Sequence, residues 1–302
     1  MRYGIFGSAV NDGTLDDVVA EAASAESDGF AAYWAPNIFG LDALTALAVV
    51  GTKVPRIELG TAVVPTFPRH PHAIAQQAHT VAAASGNRFT LGIGLSHKIV
   101  IENMLGLSYD KPVRHLREYL SVLMPLSRNE TANFDGDMYR VHAALNVKGS
   151  EGFGVVVAAL GEQMLRVTAA MADGTLTWCT GPATLASHTI PTINRAAEEF
   201  GRPAPRVIAA LPVCVTADKD GAAARAAQIF AAYGALPSYR AMLDREGVTG
   251  PADIAIVGSA AEVQDRIAAL AGIGVTDFAA VEFGGNPDEA ADTREALKKL
   301  LV

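Results

Sequence analysis

Apolar residues in this chain come in short unbroken runs, not in alternation. The runs are "YGIF" (3–6), "AAYWA" (31–35), "IELGTAVV" (57–64), "RFTLGIGL" (88–95), "FGVVVAAL" (153–160), "GTLTWC" (174–179), "RVIAALPVCV" (206–215) and "DFAAVEF" (277–283). Continuous apolar character over such lengths suits parallel strands covered on both faces. Between the runs the apolar spacing turns helical. Leu15, Val18, Val19 and Ala22 recur at i, i+3, i+4 and i+7, with Thr14 as N-cap and Gly29 as stop. Ile74, Ala78 and Val81 follow Pro71, and Gly86 closes that helix. Val113, Leu116, Leu120 and Leu123 follow Pro112. Ser259 and Glu262 form a capping box ahead of Val263, Ile267 and Leu270, and Asn286–Pro287 opens the last helix.

Eight strands, each followed by at least one helix, predict a (β/α)8 TIM barrel that spans 1–302 as a single domain. An open doubly wound sheet is the alternative, but no GxGxxG follows the first strand. The surplus length has two homes. One is an insertion at 96–152, between strands four and five, with a helix at 112–127 and a polar stretch, "NETANFDGDMYRVHAALNV", that suits a hairpin. The other lies at about 235–258.

Composition narrows the partners. Hydrophobic residues make up 50% of the 302 and charged residues 19%, so a large core is expected and disorder is not. A net charge of −8 argues against a nucleic-acid or anionic-membrane partner. Cys179 and Cys214 have no CxxC spacing and read as reduced, buried thiols of a cytoplasmic protein. The chain enters "YGIF" without a signal-peptide pattern, and no apolar run approaches the ~18 residues of a membrane span.

In such barrels chemistry sits at the C-terminal strand ends. That rule collects Trp34, Pro36 and Asn37; Ala62, Val63 and Val64; Gly92, Gly94, Ser96 and His97; Ala159, Leu160 and Gly161; Cys179, Thr180 and Gly181; and Glu282, Phe283 and Gly284. The set is small and apolar, which suits a flat ligand. The glycines of "GIG" either let a planar ring approach the backbone or relieve crowding inside the barrel. A glycosidase needs two carboxylates at strand ends, and only Glu282 is near one. His70 and His72 of "RHPH" lack a third ligand at metal spacing, so no metal is expected. Neither GxSxG nor a P-loop occurs.

The stretch "GTAVVPTFPRHPHAIAQQAHTVAAASGNRFTLGIGLSHK" (60–98) resembles the luciferase-like monooxygenase superfamily. The likeness continues in "VVAALGEQMLRVTAAMADGTLTWCTGP" (156–182) and "IVGSAAEVQDRIAALAGIGVTDFAAV" (256–281), and so covers nearly the whole chain. The middle segment looks most like the actinobacterial branch that uses the deazaflavin coenzyme F420. The resemblance implies a bacterial luciferase-like barrel, commonly dimeric, with a flavin or deazaflavin at its C-terminal mouth. It implies that Ala62, Val63 and Val64 form a bulge beneath the ring, with a cis peptide between Ala62 and Val63. Gly92, Gly94 and Ser96 would lie beside ring and substrate, and Trp34 and Asn37 in the substrate pocket. "AALGEQ" and "CTGP" match the phosphate-holding segments, so Ala159, Leu160, Gly161, Thr180 and Gly181 would bind the phosphate. Related sugar-phosphate dehydrogenases carry a glutamate at the position of His97 and an acid–histidine pair at that of Pro36 and Asn37. Both departures speak against sugar-phosphate oxidation.

The resulting expectation is a homodimeric oxidoreductase that moves hydride between the deazaflavin and a small organic substrate, with His97 as general acid/base. Arg69, His70, Lys98 and Arg114 would form a basic rim for the acidic tail of coenzyme F420. The alternatives are an FMN-dependent monooxygenase fed by a partner reductase, and a non-catalytic flavin-binding barrel.

Overall fold

A computed structural model of the protein describes residues 1–301. Eight parallel strands close into a barrel: β1 (Arg2–Phe6), β2 (Ala32–Ala35), β3 (Glu58–Thr61), β4 (Phe89–Gly94), β5 (Gly154–Val157), β6 (Gly174–Trp178), β7 (Arg206–Val215) and β8 (Asp277–Glu282). Each pairs with its sequence neighbours, and β8 returns to β1 with Arg2 opposite Asp277 and Ile5 opposite Ala280. The expected (β/α)8 TIM barrel is the observed architecture, and each apolar run holds one barrel strand.

The helices begin where their caps say. Thr14 and Asp17 form a reciprocal box at helix Leu15–Ser27, and Ser259 and Glu262 do so at Ala260–Gly272. Asn286 accepts from the Glu289 N–H and opens Pro287–Lys298. Helix Ala43–Lys53 is not legible from spacing. It buries Ala43, Leu44, Ala46, Leu47 and Val50, so its apolar positions go most of the way round and leave no clean period.

Segment 96–152 carries a π-helical turn, Ile99–Met104, then helix Pro112–Ser127 and an antiparallel hairpin, Ala132–Asp135 with Arg140–Ala143. Glu118 holds the hairpin turn by accepting from the N–H groups of Met138 and Tyr139 at 2.7 and 3.2 Å. After β7 come helices Lys219–Ile229, Ala231–Gly234 and Pro237–Glu246, and a short strand, Ile256–Gly258, that pairs with the end of β7.

The N-terminal end of the barrel is shut by an ionic plug. Arg206, the first residue of β7, donates to Asp277 at 2.7 Å and to Glu58 at 2.9 Å. These carboxylates open β8 and β3, and Arg2 of β1 reaches both. Above the plug, Trp34, Val156, Leu176, Ile208 and Ala279 fill the lumen. The opposite, C-terminal end carries the candidate site residues. No helix among the described residues is long and apolar enough to cross a membrane.

Candidate functional site

The wall of the mouth is broken between β3 and β4. Their ladder pairs Gly60 with Thr90, then resumes with Val64 opposite Ile93. Four steps on one side face three on the other, so the β3 side carries one extra residue, a bulge. Thr61 fills the gap: its hydroxyl donates to the Gly92 carbonyl at 2.7 Å and accepts the Gly92 N–H at 2.8 Å. The peptide between Ala62 and Val63 is cis, as expected. Ala62 and Val63 are half-buried and pack on the lumen cluster from the mouth side.

This bulge corrects one reading of "GIG". A Cβ on Gly94 would lie 2.7 Å from Val63 Cγ2 and 3.3 Å from Ala158 Cβ. One on Gly92 would run into the Thr61 carbonyl and lie 3.1 Å from Val63 Cγ1. The glycines make room for the bulge, so crowding explains them without a ring. Two strand ends carry left-handed backbone on side-chain-bearing residues, Ser96 (φ 60°) and Cys179 (φ 50°). Such conformations concentrate where function constrains the chain.

His97 follows Ser96. Its ring is half-buried and rests on Tyr239, with centroids 5.5 Å apart. Burial pushes its pKa down from the ordinary histidine value. The imidazole is thus neutral at pH 7 and able to accept a proton.

Of the two backbone N–H clusters expected to hold a phosphate, one is open. Gly161 is the N-cap of helix Glu162–Met171, has no side-chain cap, and is exposed. A Cβ there would meet nothing within 4 Å. Beside it, His188 Nε2 bonds the Leu160 carbonyl at 2.9 Å, a neighbour that a lone histidine in the sequence does not announce. The second cluster is filled. The Glu246 carboxylate accepts from the N–H groups of Ala183 and Thr184 at 3.0 and 2.6 Å. Thr180 is buried and its hydroxyl goes to the Trp178 carbonyl. A ligand phosphate at Gly181 would have to displace Glu246.

Other expected positions also move. Trp34 is 1% exposed, and its ring stacks over Arg206 at 5.7 Å, so it packs the lumen and not a substrate pocket. Asn37 accepts the Ala43 N–H at 3.0 Å and anchors the start of a helix. Ala159 and Val64 are fully buried. The basic rim is already paired: Arg69 with Asp42 at 2.6 Å, Arg114 with Asp137, and Lys98 with Glu102 at 3.7 Å. His70 accepts the His72 N–H at the start of helix Pro71–Ala84. Glu282 is a wall residue held by Arg294 at 2.9 and 2.5 Å.

A buried histidine lies beyond the mouth. His115 stacks on Phe67 (centroids 3.9 Å, planes 6° apart) and bonds the Thr66 hydroxyl at 2.9 Å. Burial pushes its pKa down to about 4. The unfolded chain, with a value near ~6.5, binds this proton first. Stability from neutral His115 is therefore full above about pH 6.5 and is lost as pH falls towards 4. That loss is worth roughly 3 kcal/mol at ~1.4 kcal/mol per pH unit. Urea unfolding of the protein and of His115→Gln from pH 7 to 4 should show the acid slope reduced in the variant. Equal slopes would reassign it.

The deazaflavin and FMN share a planar ring and a phosphate. The bulge at Ala62 and Val63 offers the ring a low, apolar floor, and Gly161 offers the phosphate open N–H groups at a helix start. These features fit the group.

A family model described as luciferase-like monooxygenase matches residues 1–277. A 5,10-methylenetetrahydromethanopterin reductase of Methanolobus tindarius is 29% identical over 281 residues, 92% of this chain and 84% of its own. An F420-dependent glucose-6-phosphate dehydrogenase of Segniliparus rotundus is 30% identical over 185 residues, 59% of this chain and 55% of its own. Among solved structures, a coenzyme F420 dependent tetrahydromethanopterin reductase from Methanopyrus kandleri superposes with a TM-score of 0.81. It is 21% identical, and the match covers 99% of this chain and 97% of that one.

Proposed function

The chain belongs to the luciferase-like monooxygenase family, and on that premise we propose that it is a coenzyme F420-dependent oxidoreductase acting on a small organic substrate at the barrel mouth. When bound, the deazaflavin supplies hydride transfer at C5 and reacts poorly with oxygen. The rest is the work of this chain. Ala62 and Val63 support the ring. The N–H groups at Gly161 and the helix start hold the phosphate, aided by the helix dipole. His97, neutral through burial, takes the proton of an alcohol being oxidised or returns one in the reverse direction.

The observation that carries this reading is the bulge after β3 together with the uncapped, exposed helix start at Gly161 after β5, both at the C-terminal strand ends, in a chain whose relatives include proteins named as F420-dependent. The cradle alone would also fit FMN, because the rim expected to select the acidic tail is internally paired; the choice of coenzyme F420 rests on the relatives named as F420-dependent. Cytoplasmic placement and a homodimer belong to the proposal. The free buried thiols Cys179 and Cys214 favour the first, and the exposed Ile38 and Phe39 the second.

Gly161→Glu tests the cradle. The new side chain enters open space, so the melting temperature should stay within about 2 °C, in the range of surface substitutions. A carboxylate at the helix start should weaken cofactor binding at least tenfold, roughly 1.4 kcal/mol, whereas Gly161→Ala should not. Unaltered affinity in the glutamate variant would place the phosphate elsewhere.

A further inference from the structure

The mouth holds side chains that hydride transfer alone leaves without a role. Phe6 at the end of β1 and Trp178 at the end of β6 stack with centroids 6.0 Å apart and planes at 26°. These strands are not neighbours in the barrel, and both rings pack on the lumen cluster. Tyr233 meets Trp178 edge-on at 5.6 Å, and Tyr239 meets Tyr233 edge-on at 5.4 Å. Tyr239 in turn leans on His97. Both tyrosines come from helices Ala231–Gly234 and Pro237–Glu246. The result is a continuous aromatic arc from β1 to the end of β4.

Several charged groups at the strand ends are paired within the protein. Glu282 is held by Arg294, and Glu289 by Arg225 at 2.7 Å. Glu21 takes the Tyr33 hydroxyl at 2.6 Å and the Ser8 N–H at 3.0 Å. Arg69 has Asp42, and Lys98 has Glu102. A phosphate or carboxylate entering this arc would leave water and meet ring faces in place of a free cation, which is unfavourable. Ring faces and edges reward a flat, uncharged partner.

Resting on the assignment of the mouth as the reaction site, we propose that the substrate is an uncharged, ring-bearing alcohol or ketone. Its ring packs into the arc against Tyr239, and its oxygen faces His97. Tyr239 is then a specificity-determining residue, acting through its ring and not its hydroxyl.

Acetophenone and glucose 6-phosphate serve as neutral and charged probes. Their binding is followed by isothermal titration calorimetry on protein saturated with oxidised coenzyme F420, and again on protein without cofactor. Coenzyme affinity is measured separately. The proposal expects acetophenone to bind at least tenfold more tightly than glucose 6-phosphate. Tyr239→Ala should weaken acetophenone binding about tenfold and leave coenzyme affinity within twofold, while Tyr239→Phe should bind acetophenone as the wild type does. Equal or tighter binding of glucose 6-phosphate would overturn the proposal, even if no variant folds. So would unchanged acetophenone binding in Tyr239→Ala. Failure of coenzyme F420 to bind, with the acetophenone preference intact on cofactor-free protein, would remove the cofactor assignment and leave the substrate class standing.

Discussion

Replacing Arg206 with methionine is expected to cost about 3–5 kcal/mol of folding free energy, the range for breaking a buried ion pair from one side. Arg206 is the centre of the plug and joins the first residues of β3, β7 and β8 through Glu58 and Asp277. The Asp277 side chain is 5% exposed and that of Glu58 15%. Without the guanidinium, two carboxylates stay together in a poorly solvated place. Arg2 reaches both, but from the rim, with its own side chain 46% exposed. The favourable contact of the guanidinium with the Trp34 ring is lost too. Urea unfolding at pH 7 should show a lower midpoint with an unchanged slope. Because the plug lies at the opposite end from the mouth, cofactor affinity of the folded fraction should not move. A loss below 1 kcal/mol would mean that Arg2 and water suffice to carry the two charges.

His97→Ala is expected to lower kcat by about 10²- to 10⁴-fold, the usual yield of a positioned acid or base. Coenzyme affinity should stay within about twofold, because the proposed ring and phosphate contacts follow β3 and β5 and do not involve His97, and a lost proton transfer acts on the transition state and not on ground-state binding. The pH profile carries an independent signature. The His97 pKa is lowered by burial, so the neutral base predominates above it and disappears as pH falls through it. Turnover in the oxidative direction should therefore hold steady around neutrality and decline only further to the acid side than an ordinary histidine would give. The alanine variant should lose that acid limb. Unchanged kcat would remove His97 from the chemistry and leave it as a support for Tyr239.

The barrel was legible in the chain because strand runs and helix caps are local signals. "RFTLGIGL" contains β4, and Thr14, Ser259 and Asn286 cap the helices they precede. The bulge was legible only through family resemblance, since nothing in "GTAVV" by itself asks for an extra residue. The plug was not legible. Glu58, Thr90, Arg206 and Asp277 meet only when the barrel closes, and in the sequence each is one more charged or polar residue at the edge of an apolar run. Glu246 on the N–H groups of Ala183 and Thr184 is likewise a tertiary event, and it alters the reading of "CTGP". The aromatic arc is not legible in the sequence for a related reason. Tyr233 and Tyr239 belong to a stretch with no clear apolar period, so spacing did not assign them to any face. Arg69 and Arg114 looked like a free basic rim because their partners, Asp42 and Asp137, lie more than 20 positions away.

The assignment of the mouth as a deazaflavin site is tested most directly by titrating the purified protein with coenzyme F420 and with FMN side by side, at low and moderate salt. Coenzyme F420 should bind more tightly than FMN. The salt effect should be small, because the rim cations Arg69, Lys98 and Arg114 are already paired with Asp42, Glu102 and Asp137. Tighter binding of FMN, or oxygen-dependent turnover with reduced FMN, would contradict the deazaflavin assignment and make the protein a monooxygenase.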